Sequence, residues 1–291
     1  GIRMGAPAFK MRDFMERHGV KALSSNYTLY GDLSRRVVDV LHGYSPRLDV
    51  YSIDETFVDL SGFGERMEAH AARMRQAVRT QVGIPTCVGI APTKTLAKLA
   101  NWAAKKWKAK TGCVVLLTDP LRQEKLLRYA PVGEVWGIGR RLSARLEAEL
   151  SIKTAWQLAN ADPKLLRRYF SVNVERTARE LCGIPCFPLG AGPERKQQII
   201  SSRTFGEKIY RLESLRSAVA HYTSVAAAKL RAQGSLANCI QVFAQSSAFA
   251  PGERFSGTRI MALPYPTDDT RDLVAAAQQG LGAMFREGVA Y

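Results

Sequence analysis

Asp54 and Glu55 stand side by side in YSIDETFVDLSG, residues 51–62, within a run whose apolar residues otherwise alternate as in a strand. On a regular strand neighbouring side chains point to opposite faces, so the two carboxylates could not serve one ion. A hairpin that turns at or beside the pair breaks the pleat and lets both lean the same way. Such a pair offers hard oxygen ligands at one open position, which is what a divalent metal holding a phosphate requires. Acids at a turn are most often merely solvated. The flanking Tyr51, Ile53, Phe57, Val58 and Leu60 shift that balance. They predict a buried hairpin, in which an unpaired carboxylate is costly and a partner cation is the simplest explanation.

A second group lies in GIAPTKTLAKLANWAAKK, residues 89–106. A helix starting after Pro92-Thr93 turns about 100° per residue, which puts Lys94, Lys98, Asn101 and Lys105 on one narrow face. Leu96, Leu99, Ala100, Ala103 and Trp107 then form the opposite, core-facing side. A polar stripe of this kind is commonly just solvated. Beside an acidic metal site it becomes a row of ammonium groups facing phosphates.

The third group is VWGIGRRLSARLEAEL, residues 135–150. Two close glycines before a helix predict outward-facing amides at Gly137, Ile138 and Gly139, an anion site strengthened by Arg140, Arg141 and Arg145. The simpler reading is a tight turn between helices. The spacing, with Leu146 closing the core and a second helix from Thr154, favours a helix-hairpin-helix that holds a DNA phosphate without reading bases.

Positioning these groups takes a mixed chain. Helices are predicted over 10–18, 31–43, 68–82 and 93–108, and strands in RLDVYSI, TFVDLSG, TCVGIA and GCVVLLT. Residues 120–185 read as helical throughout. FPLGAGPERK, residues 187–196, reads as a linker. Beyond it the order is strand (QIISSRTF), helix 211–233, strand (CIQVFAQS), strand (TRIMALPY) and helix 271–286, one strand short of a split βαβ unit.

The totals set bounds. A chain of 291 residues can hold two or three domains, and its composition is that of an ordinary globular protein. The net charge of +16 points to a polyanion partner, with nucleic acid favoured over anionic membrane because no basic amphipathic helix sits at either end. No apolar run approaches a membrane span, and residues 1–20 lack a signal-peptide core. The five cysteines, Cys87, Cys113, Cys182, Cys186 and Cys239, read as reduced buried thiols of a cytosolic protein, since CGIPC has no second pair to complete a zinc site. The first residue is Gly, so the true N-terminus is expected to lie upstream.

Taken in order, YSIDETFVDLSG, VGIAPTKTLAKLANWAAKKW and VWGIGRRLSARLE closely resemble the Y-family translesion DNA polymerases, most of all their UmuC-like branch. QIISSRTFGE extends the likeness into the last domain, so that it covers nearly the whole chain. The resemblance implies an α+β architecture: an incomplete polymerase palm, an all-helical thumb with a helix-hairpin-helix, and a ferredoxin-like (split βαβ) little finger lacking its last strand. It implies a remnant of the fingers at 1–19, palm at 20–118, thumb at 119–186, linker at 187–196 and little finger at 197–291.

By the same resemblance Asp54 and Glu55 bind the two catalytic Mg2+ ions, Asp54 bridging both and Glu55 holding the one that activates the primer 3′-hydroxyl. Lys105 contacts the incoming triphosphate, and Lys94, Lys98 and the glycine hairpin contact DNA. The implied partners are primer-template DNA, deoxynucleoside triphosphates, a UmuD-like dimer, a recombinase filament and a sliding clamp. The implied setting is the bacterial cytoplasm, at the nucleoid. The family's N-terminal strand with a third metal-binding aspartate, its aromatic gate against ribonucleotides and its clamp-binding tail find no match here. With two of three carboxylates and a palm sheet lacking its central strand, unpaired edges and exposed apolar surface are expected, and this chain alone is expected to be inactive or nearly so. The competing reading is a non-catalytic DNA-binding protein using the glycine hairpin and basic surface alone. A nuclease or glycosylase is disfavoured by the absence of a Lys-Asp pairing or a clustered His-acid set.

Overall fold

The computed structural model describes residues 1–190, 196–249 and 254–291, which form two compact units, Gly1–Pro193 and Glu194–Tyr291. The first unit opens with a 3-10 turn, Ala8–Met11, and the short helix α1, Arg12–Arg17. Helix α2, Tyr27–His42, starts four residues earlier than its apolar spacing predicts, because Asn26 accepts the Leu29 N–H and caps it. The strands β1, Leu48–Val50, and β2, Thr56–Val58, pair antiparallel with Asp49 opposite Phe57. Helix α3, Met67–Val82, ends at Gly83 with φ +79°.

Next come β3, Val88–Ile90, helix α4, Lys94–Lys106, the single turn α5, Lys108–Thr111, and β4, Val114–Leu116. Strands β3 and β4 run parallel, as a connection that crosses over through a helix allows. Helix α4 begins as expected, with the Thr93 hydroxyl accepting the Leu96 N–H. Its Leu96, Leu99, Ala100 and Ala103 are buried in the main core. Strand β3 lies directly against it. A Cβ on Gly89 would stand 2.2 Å from the Asn101 nitrogen and 2.3 Å from the Ala97 oxygen, so only glycine fits.

The rest of the first unit is helical: α6, Pro120–Tyr129, α7, Arg140–Leu150, α8, Ala155–Ala159, α9, Pro163–Tyr169, and α10, Val172–Leu181. Leu126, Leu146, Leu158, Leu166, Val174 and Leu181 carry the main core from α4 into this part. The four strands make two separate two-stranded sheets. Both β2 and β3 line a cavity of about 1160 Å³ whose apolar wall includes Val37, Leu41, Met74 and Val78. Among the described residues neither strand has a partner on its other edge.

The second unit holds α11, Leu212–Ala232, β5, Ala237–Gln245, β6, Ser256–Thr267, and α12, Thr270–Gly282. The strands form a hairpin with a register shift between Ala237 and Cys239, and Leu215, Val242, Ala277 and Leu281 build its core. One expectation fails here: QIISSRTF, residues 198–205, is not a strand. Strands β5 and β6 pair only with each other, and among the described residues nothing satisfies the backbone of 198–205 as a ladder would. The segment is held instead by Phe205 and Ile209 packing on the core, while Ile209 and Tyr291 exchange two 3.0 Å backbone hydrogen bonds.

The expected linker 187–196 needs correction at its start. The Phe187 and Gly190 N–H groups are bonded to the first unit, and 191–195 lie outside the described residues. All five cysteines are free as expected, but none is buried: Cys182 and Cys239 are exposed, and Cys87, Cys113 and Cys186 are half-buried. No helix among the described residues is long and apolar enough to cross a membrane.

The Gly89 contact carries a test. Gly89→Ala forces backbone against backbone, which no rotamer can relieve, so the first unit should lose about 3 kcal/mol or more. Urea melts followed by circular dichroism check this, with Gly282→Ala, where a Cβ meets nothing, as the control.

Candidate active site

The acid pair sits in the loop joining β1 to β2, where the Tyr51 and Ser52 N–H groups both donate to the Glu55 carbonyl at 3.0 Å. The pleat therefore ends before the pair, and both Asp54 and Glu55 line the same cavity. The burial argument for the pair is corrected: Tyr51 and Ile53 are 50% and 46% exposed, and Asp54 is exposed with them. Asp54 is steered by Ser52, whose hydroxyl donates to its Oδ1 at 2.7 Å. Glu55 is half-buried and has its cation already. Lys98 Nζ lies 2.5 Å from both Glu55 oxygens.

One helical turn earlier, Lys94 pairs with Asp49 on β1, and the Gly190 N–H donates to the same Asp49 oxygen at 3.0 Å. Burial works to raise the Asp49 pKa, but the hydrogen bonds from Lys94 and Gly190 and the ammonium charge outweigh it, leaving the carboxyl below its ordinary value. Lys94 also lies over the Phe57 ring at 4.8 Å, and Lys98 over the Tyr51 ring at 5.5 Å. In the expected row of ammonium groups facing phosphates, two of the three lysines are thus already engaged. Lys94 and Lys98 clasp the hairpin, while Lys105, exposed and lining the cavity, has no ion pair among the described residues.

Residues that sequence patterns did not single out fix this helix. Glu180, on α10, is fully buried. One of its oxygens accepts the Thr95 N–H and hydroxyl, both at 2.8 Å; the other accepts the Cys186 and Phe187 N–H groups at 2.9 and 3.0 Å. Its carbonyl takes the Thr93 hydroxyl at 2.8 Å. A carboxylate at a helix N-terminus, filled by four donors, is where that charge is best held. The signal in the sequence is that polar Glu175, Thr177 and Glu180 fall among the buried positions of α10.

In the glycine hairpin one expectation is corrected. Ile138 is buried and its N–H donates to the Val135 carbonyl at 2.9 Å, so it does not face outward. Helix α7 has no side-chain cap, which leaves the amides of Arg140, Arg141 and Leu142 free of intrahelical partners. Gly137 needs to be glycine, at φ +86°. Gly139 does not, since its backbone is ordinary and a Cβ there would meet nothing. Arg145 is drawn off to Glu149 at 2.9 Å. Trp136, just before the hairpin, donates its ring N–H to the Tyr51 hydroxyl at 3.1 Å and packs against Tyr51, Phe57 and Phe187.

The donor set suits magnesium: two carboxylates on one cavity, beside lysines that can take phosphates, leaving positions for water. Among the described residues no group of three or more His, Cys, Asp and Glu could hold a metal.

Comparison with known proteins bears on this arrangement. Residues 1–102 match the impB/mucB/samB family model and residues 196–291 that family's C-terminal domain. Protein ImpB of Salmonella typhimurium is 44% identical over 295 residues, covering 100% of this chain and 69% of the relative. Protein UmuC of Salmonella typhimurium strain LT2 is 43% identical over 294 residues, with the same coverage. A solved chimera of the Y-family DNA polymerases Dbh and Dpo4 superposes with a TM-score of 0.73 at 19% identity, over 97% of this chain and 78% of that one, which shows a shared fold.

Two measurements check the site's scaffold. Glu180→Gln replaces one acceptor oxygen by a donor facing N–H groups, and should cost about 2–3 kcal/mol in urea melts. The Asp49 clasp should show in acid. A carboxyl with a depressed folded pKa stabilises fully above the unfolded value of about 4 and loses this as pH falls through the folded value. The stability gap between wild type and Asp49→Asn should therefore be flat from about pH 5 to 7 and close below about pH 4.

Proposed function

We propose, on the premise that this chain belongs to the impB/mucB/samB family of UmuC-like Y-family DNA polymerases, that Asp54 and Glu55 are the metal ligands of its polymerase site. The family's activity is this chain's function: template-directed DNA synthesis past damaged bases, with DNA and nucleotides as substrates. The observation that carries the site assignment is that both carboxylates emerge from one turn onto one cavity, across from the lysine face of α4.

Magnesium held there supplies Lewis-acid activation of a primer 3′-hydroxyl and charge neutralisation on the triphosphate. The chain's own residues do the rest. Ser52 aims Asp54. Lys105, with no ion pair among the described residues, receives the triphosphate, and Lys94 keeps the hairpin against α4. The free amides at the start of α7, with Gly137, Gly139 and Arg140, hold a DNA phosphate. Gly139 has no conformational need to be glycine, and a missing side chain there leaves room for a phosphate to approach the backbone. Ile138 serves this cradle from the core side.

In the family's terms, residues 1–19 belong to the fingers, 20–118 to the palm, 119–186 to the thumb and 197–291 to the little finger. A UmuD-like dimer, a recombinase filament and a sliding clamp are its partners, at the nucleoid. Two carboxylates, one of them tied to an ammonium, hold magnesium weakly, and a polypeptide of these 291 residues alone is inactive or nearly so.

Primer extension over an abasic template tests this. The 291-residue polypeptide should bind primer-template with an affinity that falls steeply with salt and give no product. Adding an N-terminal strand that carries an aspartate should restore extension, and Asp54→Ala or Glu55→Ala should abolish it again. Extension that survives either substitution refutes the assignment. Binding without restorable extension favours the DNA-binding reading.

A further inference from the structure

The two ion pairs that join α4 to the acid hairpin look alike in sequence, Lys94 and Lys98 being one turn apart, but they are built differently. Asp49 is held from two sides, by Lys94 and by the Gly190 N–H. Its pair is a fastening between chain segments. The Glu55 carboxylate has both oxygens on the Lys98 ammonium, and no other donor among the described residues reaches it. That one ammonium is its whole fastening among the described residues.

Lys98 also has a place to go. Its ammonium lies 5.5 Å from the centre of the Tyr51 ring, and its side chain lines the cavity that Asn101 and Lys105 share. An ammonium that loses its carboxylate keeps an aromatic face and the side of the cavity it shares with Asn101 and Lys105. A glutamate that loses its ammonium must find another cation.

We infer that Lys98 is a resident counter-ion for Glu55, occupying the carboxylate until a divalent cation displaces it. This rests on the reading of Glu55 as a metal ligand. Two consequences follow from the geometry. Glu55 is held in place before any metal arrives, and metal affinity is set lower than two carboxylates alone would give. The ammonium, once displaced, remains in the cavity as positive charge for a polyanionic substrate.

Manganese binding to the full chain, without nucleotide or DNA, tests this through the electron paramagnetic resonance signal of the free ion at low salt. Lys98→Met should tighten binding about fivefold, the upper range for a partly exposed ion pair. Lys98→Arg, which grips the carboxylate with a fork, should weaken it. Lys105→Met removes a charge from the same cavity without touching Glu55 and should change affinity less than about twofold. Glu55→Gln should weaken binding in every background.

The outcomes separate. If Glu55→Gln leaves binding unchanged, the metal-ligand reading itself fails. If Glu55→Gln weakens binding but Lys98→Met does not tighten it, or Lys105→Met tightens it equally, the counter-ion inference is overturned and the reading stands. Should Lys98→Met fail to fold, the direction of the Lys98→Arg change decides the inference.

Discussion

A single buried carboxylate holds the first unit in register. Glu180 carries a negative charge with no cation paired to it among the described residues, yet its two oxygens accept four hydrogen bonds, two from the start of α4 and two from the chain after α10. The charge is tolerable because it faces the positive end of a helix and because every donor comes from a fixed backbone or a neighbouring hydroxyl. Removing it would leave the N–H groups of buried Thr95 and of half-buried Cys186 and Phe187 without that acceptor. Helix α4 presents Lys94, Lys98, Asn101 and Lys105 to the cavity, so its placement along its own axis decides which lysine meets which acid. A shift of one turn would give Asp49 and Glu55 the wrong partners.

Electrostatics in the site follow from that placement. The chain carries +16 overall, and a lysine row along one cavity would repel itself if all its charges were free. Pairing Lys94 and Lys98 with Asp49 and Glu55 removes much of this repulsion while no polyanion is bound, and leaves Lys105 free. The same pairing resolves the cost of a half-buried glutamate, which the sequence had been read as assigning to a metal. Lysine and magnesium answer one physical need, a compact positive charge against hard oxygens. A carboxylate beside apolar neighbours therefore does not by itself distinguish them.

What could be read from the residues was what depends on local geometry. The helix at Thr93 and its two faces, the strand against it, the glycine turn and the break in the pleat at the acid pair all rest on spacing of a few residues, and the structure has them. What could not be read depends on distant partners. Glu180 and Thr95 are 85 positions apart, and Gly190 and Asp49 are 141 apart; no periodicity announces either contact. The apolar flanks of the acid pair predict burial, but Tyr51 and Ile53 spend much of their surface on solvent at the loop. Residues 198–205 carry the β-forming Ile199, Ile200, Thr204 and Phe205, yet a strand also needs a neighbour to receive its hydrogen bonds. Ile138 was counted as an outward amide because turn type, which consumes its N–H, is set by the backbone and not by residue identity.

The contacts of Trp136 show why the phosphate cradle and the acid turn must be considered together. Trp136 precedes Gly137 directly, and its ring N–H bonds the Tyr51 hydroxyl at the first residue of the acid loop. Its other neighbour is Phe187, whose N–H is one of the four donors on Glu180. One route thus runs from Glu180 through Phe187, Trp136 and Tyr51 to the acid loop. Another runs from Glu180 through Thr95 and α4 to Lys98 and Glu55. Both ends of the loop are consequently located by the same buried group, and the α7 amides are tied to the first route. A DNA backbone seated on those amides would be positioned against the carboxylates by packed rings and hydrogen bonds, with no flexible connection between them. In-line transfer needs that: a displacement of about 1 Å at the reacting atoms can cost on the order of a hundredfold in rate.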